Sequence, residues 1–299
     1  MSLVVLGTLA LDTIKTPNAK RQDILGGSAA HFSMVARIFT DVHLVAIVGE
    51  DFPKRYIDFL QKKGIILTSV AKGKGRSFRW HGEYKNDLNT AITLSTELGV
   101  LSIFKPKISE HQRGIENIFL ANTDPDIQRH LLEHMRSPKL VGLDSMNYWI
   151  RNKRKQLVRL LKEIDVYLAN EGEAKELSGE FNLIKAARSL KKMGPKMVVI
   201  KKGEHGVLCY GDNFIFSLPA YPVQKVVDPT GAGDAFAGGF MGYLAKRARI
   251  RSNDIKRAIA HGVVCASFNV EGFGLEGTSI LTMKDLSYRL SKLRKIINF

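Results

Sequence analysis

The 299-residue chain carries 45 Lys plus Arg against 29 Asp plus Glu, a formal net charge of +16, with 44% hydrophobic and 25% charged residues. Those fractions are ordinary for a folded protein and argue against global disorder, and the length suffices for one large α/β domain. No apolar run approaches the roughly 18 residues of a membrane span, and no basic segment followed by an apolar stretch suggests export. The cysteines, Cys209 and Cys265, form no CxxC. A zinc ribbon and a disulfide scaffold are therefore excluded, and the chain reads as cytoplasmic with both thiols reduced and buried.

Ser2–Gly7 predicts a buried strand, Gly26–Phe39 a helix opened by small residues, and His43–Gly49 a second strand. Asp51 is placed to cap a helix running to Lys63, with Pro53 tolerated in its first turn. The strand Ile115–Leu120 leads to a helix over Asp124–Arg136, capped by Asp124 with Pro125 at the first helical position. Lys139–Leu143, Asp165–Ala169 and Lys196–Lys201 read as further strands. Trp149–Glu163, Asn170–Ser178 and Asn182–Met193 read as helices, and the chain ends in helices over Gly231–Arg247, Asn253–Phe268 and Met283–Ile297. This alternation predicts an α/β fold with a mostly parallel central sheet covered by helices on both faces.

One segment breaks the rhythm. Arg76–Leu101 is rich in aromatic and β-branched residues, with Gly82, Asn86 and Asp87 as turn candidates. It predicts antiparallel strands inserted between α/β units, and Leu11–Leu25 adds a short hairpin. Residues 11–25 and 76–101 would then form a small β-sheet lid on a single domain spanning 1–299. The basic residues concentrate at Arg151–Lys162, Lys246–Arg257 and Lys72–Arg79. In the first of these, the leucines and valine follow helical spacing, so its charges form a solvated helix face. Without a zinc-finger or basic-zipper pattern, no specific nucleic-acid partner is expected.

The strongest chemical signal is Asp228-Pro-Thr-Gly-Ala-Gly-Asp234. Gly231, Ala232 and Gly233 present backbone N–H groups at a helix start, where an anion can approach closely. Asp234 in the first turn can accept a proton from a substrate hydroxyl beside that anion hole. Asn170-Glu-Gly-Glu173 offers hard oxygen ligands for Mg²⁺, but its spacing equally suits a capping box. Lys201-Lys-Gly203-Glu-His-Gly206 is a glycine-bearing turn after a strand, and no GxxxxGK[ST] occurs, which excludes a P-loop. Asp12 follows the first strand, and a carboxylate there can accept hydrogen bonds from two hydroxyls. Asn122, Asp144 and Asn147 follow the ends of strands, on the edge of an α/β sheet where ligands bind.

Asp228–Asp234 together with Gly26-Gly27-Ser-Ala-Ala-His31 resembles the two signatures of the PfkB family of carbohydrate and nucleoside kinases, and the resemblance runs over essentially the whole chain. It implies a ribokinase-like three-layer α/β/α sandwich with a lid. It also implies ATP-dependent, Mg²⁺-assisted phosphoryl transfer to a hydroxyl of a small sugar or polyol, with a nucleoside as the alternative acceptor. By resemblance, Asp234 is the base and Gly231–Gly233 the anion hole. Asp12, Gly26, Gly27 and His31 surround the acceptor. Asn170 and Glu173 match an NxxE motif that places Mg²⁺ through water. Lys201, Gly203, Gly206 and His261 match nucleotide-binding positions, and Asp228 is a candidate ligand for K⁺. The chain departs from ribokinase at Ala10, Ser28 and His31, where ribokinase has Asn, Lys and Asn, and this reshapes the polar contacts to the acceptor. Phe78, Trp80 and Tyr84 share one lid face by strand periodicity. They either pack on the core or on a second subunit, forming a homodimer through the lid, or stack on a sugar or base. The rival from another class is a ligand sensor or nucleic-acid-binding protein on a kinase fold, which would not need the base Asp234.

Overall fold

The computed structural model describes residues 1–17, 19–85 and 88–298. In chain order the strands are β1 (Ser2–Leu6), β2 (Ala10–Lys15), β3 (Lys20–Gly26), β4 (Asp41–Val48), β5 (Ile66–Lys72), β6 (Phe78–Glu83), β7 (Ile92–Glu97), β8 (Asn117–Leu120), β9 (Leu140–Asp144), β10 (Val166–Asn170), β11 (Met197–Lys201), β12 (Val207–Tyr210) and β13 (Ile215–Leu218). The large sheet has the order β13-β12-β11-β10-β9-β8-β1-β4-β5. Its strands from β5 to β11 are parallel, and β12 and β13 join antiparallel at one edge. The central strands are apolar along their whole length because helices cover both faces, which leaves no solvated side to alternate with.

Two core layers result. On one face, Leu3, Val5, Phe32, Phe119 and Phe240 pack beneath the helices Ser28–Ala36, Ala232–Ala245 and Ser252–Asn269, and Phe32 stacks on Phe119 at 4.4 Å. These helices approach closely because a Cβ at Gly238 would lie 2.5 Å from the Phe32 carbonyl oxygen. On the other face, Val4, Leu6, Leu143, Leu160 and Tyr167 are buried beneath the helices Pro125–Glu133, Arg154–Leu160, Glu171–Ser178 and Leu183–Lys192. Burying each such large apolar side chain contributes about 1.5–3 kcal/mol.

The inserted segments form a separate sheet in the order β3-β2-β6-β7. It is mixed rather than wholly antiparallel, since β2 pairs parallel with β6. Gly82 lies inside β6 rather than in a turn, and Asn86 and Asp87 lie outside the described residues. The three lid aromatics do not form one patch. Phe78 packs on the main core, while Trp80 and Tyr84 join Ile14 and Phe273 in a small cluster.

Three further expectations are corrected. Asp51 does not cap the helix Lys54–Lys62, whose N-cap is Pro53. Its Oδ1 instead accepts hydrogen bonds from the backbone N–H and hydroxyl of Ser77, both at 2.7 Å, and its Oδ2 pairs with Arg79. The carboxylate therefore ties β6 to the core. The predicted helix Trp149–Glu163 is interrupted at Lys153, whose φ of −133° is not helical. That lysine bridges Asp124 and Asp126, and Asn152 folds its amide onto the Tyr148 carbonyl. The helix predicted from Gly26 begins only at Ser28, because Gly26 ends β3 and Gly27 has a φ of 97°.

Candidate active site

The C-terminal ends of β8, β9, β10 and β11 deliver Asn122, Asp144, Asn170 and Lys201 to one edge of the large sheet, as parallel topology requires. Asn170 and Lys201 are register partners at that edge. The helix Ala232–Ala245 starts above it, with Gly231 as N-cap at φ 75° and Asp234 in the first turn. Lys201 points at this turn, since a Cβ on Gly233 would fall 2.8 Å from its Nζ. Glycine at 231 is needed for a second reason. A Cβ there would lie 2.2 Å from His31 Nδ1, so the imidazole packs flat against the loop.

A chain of hydrogen bonds fixes the loop. Asp228 is fully buried and accepts from the N–H of Thr230 at 2.9 Å and of Gly274 at 3.0 Å. Asn269 donates through Nδ2 to the Thr230 carbonyl at 2.7 Å. Its Oδ1 meets His31 Nδ1 at 3.0 Å. Because Oδ1 can only accept, His31 carries its proton on Nδ1. Asn269 had no sequence signal, because its partners lie 39 and 238 positions away.

The ionisable groups at this edge influence one another. Burial pushes the Asp234 carboxyl up to about 7, Lys201 opposes the shift, and the charges of Glu173 and Asp12 reinforce it. Asp144 is raised to about 8 by burial and by Asp234, against the pull of Lys201 and of a hydrogen bond from the Asn122 backbone. Glu173 is raised to about 7, chiefly by burial and against Lys201. Asp12 is raised to about 7 by burial, against a hydrogen bond from the Gly27 backbone and reinforced by Asp228. Each of these shifts is dominated by desolvation of the charged form. Three carboxyls thus share the neighbourhood of a single lysine, and a fourth, Asp12, faces the same catalytic aspartate candidate from the small sheet.

Gly26 and Gly27 shape the floor beside Asp12. A Cβ on Gly26 would fall 1.8 Å from Asp12 Oδ2, and one on Gly27 would fall 2.4 Å from the Thr8 carbonyl oxygen. Ser28 turns inward rather than toward an acceptor. It bonds with Thr8 through backbone and side chain and donates to the Asn122 carbonyl at 3.1 Å. The side-chain oxygen of Asn122 and Oδ1 of Asp144 are buried without a partner, so a ligand's donors could satisfy both. Asn147 begins a short helix three residues beyond Asp144 and is partly exposed. Gln128, which lacked a sequence signal, locks this edge by donating to the carbonyls of Leu120, Ala121 and Asp144.

Asn170 and Glu173 form the capping box, with N–H to side-chain distances of 2.8 and 2.7 Å. Among the described residues no three His, Cys, Asp or Glu side chains converge as a metal site. Asn170 and Glu173 each commit one oxygen to the capping box, and hard oxygen donors of this kind are compatible with an ion that keeps several of its own waters, as Mg²⁺ does. Gly203 and Gly206 both have positive φ, 55° and 84°, and a Cβ on Gly206 would meet the Leu218 carbonyl oxygen at 2.1 Å. The lid reaches this turn, where Asn89 Nδ2 lies 3.4 Å from Glu204 Oε1. His261, matched to a nucleotide position by resemblance, is held by aromatic contacts. It stacks on Tyr243 at 4.5 Å and meets Phe39 edge-on at 5.5 Å, on the face of its helix that packs against Ala232–Ala245.

A family model described as pfkB family carbohydrate kinase matches residues 8–281. A cytidine kinase of Thermococcus kodakarensis is 32% identical over 254 residues, 83% of this chain and 90% of the relative. A deoxyribokinase of Salmonella typhi is 34% identical over 298 residues, 93% of this chain and 95% of the relative. The crystal structure of the Methanocaldococcus jannaschii nucleoside kinase, of the ribokinase family, superposes with a TM-score of 0.78 over 97% of this chain and 98% of that one at 21% identity. That similarity shows the ribokinase-like fold.

Proposed function

The chain belongs to the pfkB family of carbohydrate kinases and is an ATP-dependent phosphotransferase acting on sugar or nucleoside hydroxyls; from that premise we propose that the acceptor is a nucleoside and that Asp234 is its general base. What carries the reading is the placement of Asp234 in the first turn behind Gly231, within electrostatic reach of both Asp12 and Lys201. Asp12 accepts hydrogen bonds from ribosyl hydroxyls. The Asp234 carboxylate takes the proton of the reacting hydroxyl, whose oxygen forms a bond to the γ-phosphorus as ADP departs. The amides of Gly231–Gly233 and the Lys201 ammonium offset the charge on the transferring group. Magnesium bound with ATP supplies further neutralisation at the phosphates, and Asn170 and Glu173 would meet it through water. Lid closure over the cleft excludes water and limits ATP hydrolysis.

The nucleoside is preferred to a free sugar because the similar proteins include a cytidine kinase and two nucleoside kinases. A free pentose is the second reading, favoured by the 34% identity to a deoxyribokinase. Measuring ADP release with nucleosides, pentoses and polyols as acceptors separates them. Turnover on pentoses with none on nucleosides would overturn the first. The same reading includes a homodimer through the lid, whose outer strand β7 exposes Ile92 and Leu94. Light scattering tests that element. Potassium beside Asp228 is a further element, tested by replacing potassium with a bulky organic cation in the assay.

A further inference from the structure

A cavity of about 390 Å³ lies at the edge of the large sheet opposite the cleft, bordered by Lys105, Lys107, Arg113, His130 and His134 together with Pro106 and Ile108. Topology sets its position. The helix Pro125–Glu133 leaves the catalytic edge just after Asn122 and runs back antiparallel to the strands, carrying His130 and His134 to the opposite edge. The backbone bonds from Arg136 to the Arg113 carbonyl and from Lys139 to the Glu116 carbonyl anchor that end beside the starts of β8 and β9.

The cavity has no carboxylate in its wall. The acids around it have other partners: Glu110 pairs with Arg136, Glu116 with Lys139 and Glu133 with Arg129. Arg113 reaches Glu110 only at 3.9 Å, and its Nε is buried without a hydrogen-bond partner. Among the described residues neither Lys105 nor Lys107 forms an ion pair. The rings of His130 and His134 lie 4.5 Å apart, and His134 Nδ1 donates to the His130 carbonyl at 2.7 Å. Cations clustered with only the one loose counter-charge of Glu110 repel one another, and a multiply charged anion would offset that repulsion.

We propose that this cavity is a second binding site, separate from the catalytic cleft, for a small polyphosphate group. Lys105, Lys107 and Arg113 engage the phosphates, and Pro106 with Ile108 forms an apolar wall for an organic substituent. Its volume falls at the small end of ligand sites. Its concave shape suits a compact anion, whereas a nucleic-acid backbone needs cations tracking along a surface.

The test uses the intact chain and the imidazole NMR signals of His130 and His134, which report locally even when the catalytic cleft also binds phosphate. Sodium tripolyphosphate should shift both signals along a saturating curve. Lys105→Ala combined with Lys107→Ala should weaken that response roughly tenfold or more while leaving kcat and the KM for MgATP unchanged. A nucleoside triphosphate binding as tightly as tripolyphosphate, or more tightly, identifies the phosphate chain alone or the chain plus its organic part. Histidine signals that do not respond, an unchanged affinity in the double variant, or a response only to an oligonucleotide would each overturn the proposal. Arg113→Gln is the second variant should the double lysine change disturb folding. It should weaken the same response, and an unchanged affinity would count equally against the site.

Discussion

Thr230 donates its hydroxyl hydrogen to Tyr84 Oη across 3.1 Å, joining the small sheet to the residue that precedes the Gly231–Gly233 turn. Tyr84 is buried there beside Ile14 and Phe273. Tyr84→Phe keeps the packing and removes one neutral hydrogen bond, so it should cost about 1 kcal/mol of stability. If the contact also holds the closed lid, kcat should fall several-fold, about as a loss of 1 kcal/mol at the transition state predicts. Thermal unfolding and steady-state kinetics on the same preparation check both effects.

Asp234→Asn removes the carboxylate proposed as the base but keeps the shape of the loop. Turnover should fall by about 10²–10⁴-fold, the usual contribution of a positioned base, while calorimetric ATP affinity stays close to that of the unaltered chain. Near-normal turnover would remove Asp234 from its assigned role.

The acid limb of activity should follow Asp234. A base must be ionised to act, and this carboxyl is pushed up to about 7 by burial against the pull of Lys201. Activity at low acceptor concentration should therefore rise with pH through the neutral region. Lys201→Met removes the charge that favours the ionised form, so the limb should move to higher pH. A pH–rate profile of kcat/KM for the two proteins reads the displacement.

Asp12, Asp144 and Glu173 also have raised values, about 7, 8 and 7. Each binds a proton more tightly folded than unfolded. Its contribution to stability is thus complete below the unfolded carboxyl range near pH 4 and is lost as pH rises through its folded value. The melting temperature of the ligand-free chain should fall between about pH 4 and pH 8 from these groups, at most about 1.4 kcal/mol per pH unit for each. Asp144→Asn should flatten that slope, which melting curves at several pH values measure.

His261 sits between Tyr243 and Phe39, so its replacement should act on stability. His261→Ala should lower the melting temperature, in line with about 1–3 kcal/mol for a lost buried ring contact and the space left behind. The KM for ATP should stay within about twofold if these aromatic contacts are its whole role. A tenfold rise in that KM without a change in melting would return His261 to the nucleotide site.

Much of this arrangement was legible beforehand, and the reasons differ by residue. Asp234 and Gly231 are readable because their chemistry is local: a helix start, a residue with no Cβ and an acid three positions on. Asn170 and Glu173 are readable for the same reason, and their capping box is a three-residue relationship. Asp51 illustrates the limit. Its spacing suits a helix cap, but a competing partner 26 residues away, Ser77, takes its carboxylate. Asn269 and Gln128 left no trace, and Tyr84 was legible as a lid aromatic but not as a partner of Thr230, because each acts through a carbonyl or hydroxyl supplied by a distant segment or by the end of another strand.

By itself the sequence determined the parallel α/β plan, the glycine-bearing helix start before Asp234, and the family to which the chain belongs. It did so because periodicity, capping and glycine backbone freedom are properties of neighbouring residues. Only the tertiary structure decided which carboxyls share Lys201, that Ser28 turns away from the acceptor, and that His261 belongs to a helix interface. These depend on which elements meet, and burial then sets the charge that each group carries. The same holds for the +16 excess. Composition counts the cations, but their gathering into a pocket without an acid at the far edge of the sheet is a consequence of how the helix Pro125–Glu133 runs back along it.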